Sequence, residues 1–192
     1  MKEKILIING HPDPESFCRS LSEAYKEGAG ATGEVRFIDL STINFEPNLK
    51  YGYRKRTELE VDLIKAREWI EWASHLVFVY PTWWGAMPAL LKGFIDRVFL
   101  PGFAFRYREG SALWDKLLTG KTAHLIVTMD TPSWYNRLVY RRAGHQVMKR
   151  NVLDFCGIKP VRITEITPVK NSTDYKRATW LRRVERLGQK HS

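Results

Sequence analysis

A chain of 192 residues, 44% hydrophobic and 27% charged, has the length and composition of one ordinary globular domain spanning residues 1–192, with enough apolar side chain for a sizeable core. No apolar run approaches the length of a membrane span, Met1-Lys2-Glu3-Lys4 passes straight into Ile5-Leu6-Ile7-Ile8 without a cleavage-like segment, and Cys18 and Cys156 show neither metal-ligand spacing nor a disulfide-rich pattern. The expectation is a soluble, unprocessed protein without a metal site, suited to a reducing cytoplasm; its formal charge of +10 attracts phosphorylated cofactors, nucleic acid and acidic headgroups alike and does not choose among them.

Apolar runs alternate with helix-period segments along the whole chain. Lys4–Asn9 reads as the first strand, and a helix follows over Ser16–Gly28, with Gly28 and Gly30 as stop signals. Val35–Asp39 is the second strand; Ser41 to Thr57, with Pro47 and Gly52, reads as an excursion loop. Leu59, Leu63, Ala66, Ile70 and Ala73 then recur at helical steps, and His75–Tyr80 forms the third strand. After a proline-flanked turn, Leu90, Leu91, Phe94, Ile95, Val98 and Phe99 make another helical stripe. Strands at Ala123–Met129 and Val161–Ile166 and helices at Leu138–Phe155 and Ser172–Leu187 complete the series. Five strands alternating with five helices predict an α/β three-layer sandwich on a parallel sheet, for which the order 2-1-3-4-5 is a common solution.

That order brings the carboxyl ends of the first and third strands together at the switch point, where open α/β sheets hold ligands. The first end carries Asn9-Gly10-His11-Pro12-Asp13-Pro14-Glu15-Ser16-Phe17-Cys18. Amides at the start of the following helix, the Ser16 hydroxyl and the His11 ring suit a phosphate cradle, while Asp13 as N-cap and Pro14 at the first helical position would equally make a helix start that needs no ligand. The other end carries Pro81-Thr82-Trp83-Trp84-Gly85, a stiff aromatic turn with no nucleophile, built to hold a ring system rather than to attack a bond. A phosphate site beside an aromatic slot suits a flavin nucleotide; there is neither a Gly-x-Gly-x-x-Gly fingerprint nor a Walker lysine loop. Basic residues gather at Arg54-Lys55-Arg56, over Arg137 to Arg150 and along Lys176 to Lys190, but no nucleic-acid reading element accompanies them, and no nucleic-acid partner is expected.

His11-Pro12 with Ser16-Phe17, Pro81-Thr82-Trp83-Trp84, Met87-Pro88-Ala89-Leu90-Leu91-Lys92-Gly93-Phe94-Ile95-Asp96-Arg97-Val98-Phe99 and Gly102-Phe103-Ala104-Phe105 together resemble the flavodoxin-like NAD(P)H:quinone oxidoreductase family over most of the chain. The resemblance implies a flavodoxin-like fold, non-covalent FMN or FAD, NADH or NADPH as electron donor, a homodimer with sites at the subunit interface, and ping-pong two-electron reduction of quinones. Carried across by position, it puts His11, Ser16, Phe17 and Cys18 around the flavin phosphates and Pro81, Thr82, Trp83, Trp84 and Gly85 along the isoalloxazine. Trp83, Trp84, Phe105 and Trp134 would wall the acceptor pocket, and Tyr135 would help balance charge during hydride transfer.

The sequence departs from the family where Thr-Thr-Gly-Gly is frequent and this chain reads Val127-Thr128-Met129-Asp130-Thr131-Pro132. Thr128 keeps its place beside the flavin, whereas Asp130 brings a carboxylate toward the reduced ring unless it turns away. No histidine matches the family's catalytic one: His145 lies deeper in the expected helix, and Arg137 or Arg141 is available for the electrostatic task. The same departure sustains a second reading, a flavin-binding ancillary subunit of a potassium efflux system, with a membrane transporter as partner and little turnover.

Overall fold

The computed structural model describes residues 2–55 and 57–190; Met1 and Arg56, the last of the 54–56 basic run, lie outside the described residues. Five parallel strands, β1 (Glu3–Asn9), β2 (Gly33–Asp39), β3 (His75–Pro81), β6 (Thr122–Thr128) and β7 (Val161–Ile166), form a sheet in the order β2-β1-β3-β6-β7. Over its core strands this is the expected order 2-1-3-4-5. Residues β4 (Phe105–Tyr107) and β5 (Trp114–Lys116) add a small antiparallel pair absent from the sequence reading. The helices are α1 (Phe17–Gly30), α2 (Val61–Trp72), α3 (Ala89–Val98), α4 (Ser133–Leu138), α5 (Ala143–Gln146) and α6 (Asp174–Lys190), with a π-helical stretch, Val147–Asp154, continuing α5. Among the described residues no helix is long and apolar enough to cross a membrane.

Strand alternation divides the core into two layers. Leu6, Ile8, Leu76, Phe78 and Tyr80 face the side covered by α2, α3 and the π-helical stretch, while Ile5, Ile7, Val77 and Val79 face α1 and α6. Helices α1 and α6 meet so closely that a Cβ on Gly28 would lie 1.9 Å from the Glu185 carbonyl oxygen. Gly28 is therefore a packing residue inside α1, and the helix runs on past its expected stop to Gly30.

Two further expectations are corrected by the backbone. Ser16, not Asp13, is the N-cap of α1: its Oγ accepts from the Arg19 amide, while Asp13 accepts from the Glu15 amide in a separate turn before the helix. Ser16, Pro14 and Glu15 thus stay outside the helix proper. The single helix expected over Leu138–Phe155 is instead α4, a break, α5 and the π-helical stretch, because Arg141 and Arg142 both take positive φ values (50° and 54°) that no helix can contain.

Candidate active site

The carboxyl ends of β1, β3 and β6 open into two neighbouring cavities. The first, about 200 Å³, is lined by His11, Phe17, Cys18, Pro81, Thr82, Trp83, Thr128, Met129, Asp130 and Val169. The sequence reading named eight of these, so distant segments meet as the topology requires. The second, about 530 Å³, is lined by Thr82, Trp84, Gly85, Met129, Thr131, Asn136, Tyr140, Ala143 and Gly144. Thr82 and Met129 belong to both walls, which makes the cavities two ends of one trough.

At the first cavity the helix cannot supply acceptors to the amides of Phe17 and Cys18, which leaves donors for an anion at the start of α1. His11 stands beside them with its Nδ1 accepting from the Asp13 amide (3.0 Å), so the neutral ring carries its proton on Nε2 as a further donor. Its ring meets Trp83 edge to face at 5.3 Å, tying the two loops together. Burial lowers the His11 pKa, outweighing the nearby Asp13 carboxylate, and favours this neutral form. Cys18 is buried with its Sγ 3.3 Å from Thr128 Oγ1, so it joins α1 to β6, and burial pushes its thiol up to about 12. Ser16 is buried in its capping role and does not line the cavity. One Asp130 oxygen accepts from the Lys170 amide at 2.6 Å; the carboxylate is held toward the loop that follows β7.

The aromatic turn is tighter than its sequence suggests. Trp83 and Ala86 exchange both amide-to-carbonyl hydrogen bonds at 2.9 Å, and the two residues between them have positive φ, 49° at Trp84 and 76° at Gly85, the requirement of a type I′ turn. A bulky residue in that region is an outlier, yet Trp84 gains no packing in return: its side chain is 105% exposed above the second cavity. Gly144 of α5 rests against the turn so closely that a Cβ there would lie 2.1 Å from the Gly85 oxygen.

Three aromatic residues form an edge-to-face ladder, Trp134 on Tyr135 at 5.5 Å and Tyr135 on Tyr140 at 5.1 Å. Tyr140, which sequence reasoning missed, lines the second cavity; Tyr135 stands behind it and Trp134 is exposed at the ladder's far end. Phe105 packs on Phe155 (5.0 Å) and Tyr107 (5.2 Å) and lines neither cavity in this chain.

Behind Asn136 lies a buried polar group that the sequence did not announce. Glu165 Oε1 is 3.1 Å from His145 Nε2 and accepts from Asn136 Nδ2 at 3.2 Å, and Arg142 Nε lies 3.3 Å away, near enough for charge attraction though poorly aligned for a hydrogen bond. Burial works to raise the Glu165 pKa, but the Ser133 hydroxyl, Arg142, His145 and Asn136 together hold it below the ordinary carboxylate value. His145 is 3% exposed, and its burial lowers its pKa despite the carboxylate. It is thus a packed histidine rather than a surface one.

These shifts set a pH window for stability. His11 and His145, with pKa values below their ordinary 6.5, and Asp39 and Glu165, below their ordinary 3.8 and 4.5, bind fewer protons folded than unfolded. Stability is expected to fall as pH drops below 6.5 and more steeply through the carboxylate range. Cys18 and Cys156, raised to about 12 from 9.0, keep protons that the unfolded chain loses, so stability also falls as pH rises above 9.0. Urea midpoints measured between about pH 3 and about pH 11, a range that brackets these ordinary values, should describe a plateau with both edges; a midpoint still rising beyond the thiol range would contradict the burial of the cysteines.

Residues 3–188 match the family model described as flavodoxin-like fold. The rat ribosyldihydronicotinamide dehydrogenase [quinone] is 27% identical over 219 residues, covering 96% of this chain and 92% of that protein. Among solved structures, a Streptococcus mutans protein is similar with 33% identity and a TM-score of 0.82, covering 97% of this chain and 98% of the other. The NAD(P)H:quinone oxidoreductase from Methanothermobacter marburgensis has 26% identity and a TM-score of 0.82 over 100% of this chain and 98% of its own.

Proposed function

The chain belongs to the flavodoxin-like fold family, and from that premise we propose that it is a flavin-dependent NAD(P)H oxidoreductase that reduces quinones or similar flat electrophiles by two-electron hydride transfer. The observation that carries this reading is Trp84: a large flat side chain held at φ 49° and left bare above a cavity of about 530 Å³. Strain without packing in return marks a residue kept for a ligand, and an exposed indole face is a stacking surface.

The trough fits FMN or FAD at both ends. The free amides of α1 and the His11 Nε2 proton would take the phosphate; Pro81, Thr82, Trp83 and Trp84 would orient the ring, and Thr128 would complete the wall of the first cavity. When bound, a flavin supplies hydride acceptance from NAD(P)H and delivery to the electrophile, so the chain needs no nucleophile of its own. Its residues bind, orient and shield. One Asp130 oxygen is engaged by the Lys170 backbone amide, and Tyr140 would wall the other end of the trough with Tyr135 packed behind it. A homodimer is part of this proposal: Trp84 and Tyr140 are exposed in the wall of the second cavity, Trp134, Leu138 and Val139 are exposed on the segment leading to Tyr140, and Phe105 and Tyr107 would reach a ring only from another copy.

The test is reconstitution followed by turnover. Protein incubated with FMN or FAD should retain one of them through gel filtration and then oxidise NADH or NADPH with a quinone as acceptor. Retention of flavin with negligible turnover by either nicotinamide would favour the ancillary-subunit reading, and failure to retain either flavin would defeat both. Trp84→Gly adds a sharper arm. Relief of the positive φ should leave stability unchanged or raised by up to about 1 kcal/mol, while flavin affinity or quinone turnover drops at least about tenfold. Equal affinity and turnover in this variant would make the tryptophan a bystander.

A further inference from the structure

We propose that Asn136 recognises the N–H edge of the bound ring, its side-chain carbonyl accepting a hydrogen bond from the imide N–H, and that His145 and Glu165 are positioning residues that hold the amide in this orientation. The inference rests on the flavin reading above and assigns a residue to it that the motif resemblance does not.

Asn136 belongs to α4, is 8% exposed and lines the second cavity. Its backbone is spoken for at both ends, N–H to the Pro132 carbonyl and carbonyl to the Arg142 amide, so the side chain's base is fixed. The amide orientation is decided by Glu165. An ionised carboxylate only accepts, and it stands 3.2 Å from Asn136; turning the amide over would set two acceptors against each other in a buried site. Glu165 is kept ionised by its surrounding donors, as its lowered pKa reflects. His145 Nε2 sits 3.1 Å from the same oxygen and 3.3 Å from Asn136 Nδ2, closing the triangle.

With Nδ2 committed, Oδ1 has no hydrogen bond among the described residues, and it is not sealed from solvent either. Apart from the Trp84 indole N–H, the side chains that line the cavity with Asn136 are apolar or hydroxylic: Met129, Tyr140 and Ala143, with Thr82 and Thr131. A hydroxyl can turn to donate or accept, but this carbonyl only accepts. A ligand that seats against it without offering a proton leaves it desolvated and unpaired, whereas one with an N–H satisfies it. The flavin pyrimidine carries such an imide; a quinone, with carbonyls alone, does not. The trough's polar edge therefore selects the ring that stays over the one that is reduced and leaves.

Replacing the imide hydrogen by a methyl group isolates this contact. Apo-protein is titrated with FMN and with 3-methyl-FMN by quenching of flavin fluorescence, in wild type, Asn136→Ala and Glu165→Gln, with FAD and its 3-methyl analogue used if FAD is the flavin retained. Wild type should bind the unmethylated flavin about tenfold more tightly; in Asn136→Ala that preference should shrink below about threefold, with flavin affinity itself down about tenfold. Glu165→Gln, whose amide can face Asn136 with either end, should fall between, and it tests the same geometry should Asn136→Ala fold poorly. The same methyl penalty in wild type and both variants would overturn the role of Asn136 while leaving flavin binding intact. No binding of either flavin by wild type would overturn both.

Discussion

Arg97→Ala is expected to cost about 2–4 kcal/mol of folding stability, read as a fall in the urea midpoint at unchanged slope. Arg97 lies in α3 with its side chain 0% exposed, an unusual place for a guanidinium. It is tolerated because its donors are nearly all used: Nη1 reaches the Glu46 carbonyl and Glu60 Oε1, and Nη2 the Glu58 carbonyl at 2.7 Å and Glu60 Oε2 at 2.8 Å. Two carbonyls and a carboxylate from the excursion between β2 and α2 thus converge on one side chain. Removing it strands acceptors that the loop cannot otherwise satisfy, although Glu60, 34% exposed, can take water and moderates the loss. Arg97→Met separates shape from polarity. It refills much of the volume, yet the acceptors stay unpaired, so most of the loss should persist; a fully stable Met variant would mean that packing alone holds the loop.

This result would also divide a motif that reads as one block. From Pro81 to Phe99 the sequence carries one nearly continuous run of family-like residues, but only its first part, Pro81 to Gly85, reaches the trough. Its second part, around Gly93 and Arg97, holds the loop: a Cβ on Gly93 would lie 2.5 Å from Pro47 Cβ. Sequence alone shows the pattern and not which neighbour each residue answers to.

What was legible was what repeats. Ile5 to Ile8 and Leu76 to Tyr80 alternate between two covered faces, so the strands and their order followed from apolar runs and spacing. The β4–β5 pair did not, because strands of three residues containing Arg106, Asp115 and Lys116 carry no apolar run. The break between α4 and α5 was hidden because it falls at Arg141 and Arg142, residues that ordinarily favour helix and take positive φ here without a glycine to signal it. Within the trough, His11, Phe17, Cys18 and the tryptophan turn were visible as strand-end loops at the switch point. Asn136 and Tyr140 were not: their positions depend on that unforeseen break, and the partners that orient Asn136 come from β7 and α5.

Gly144→Ala carries the largest expected effect on the site. The added Cβ would sit 2.1 Å from the Gly85 oxygen and 3.1 Å from its carbon, both backbone atoms, so no side chain can swing aside to make room. Either α5 retreats or the Trp83–Ala86 turn does. Both movements deform the second cavity, since Gly85 and Gly144 line it together with Trp84 and Asn136. Overpacking of this kind costs about 1–3 kcal/mol of stability, and flavin affinity should fall at least tenfold, about 1.4 kcal/mol, with the ring no longer matched to its wall. Gly85→Ala supplies the contrast. Gly85 has φ 76° but nothing within 4 Å of its would-be Cβ, so its substitution strains only the backbone. The two variants should therefore lose similar stability while Gly144→Ala loses far more flavin affinity. Matched losses of affinity would place the requirement in the turn's own conformation; wild-type affinity in Gly144→Ala would show that the contact between turn and α5 does not shape the trough.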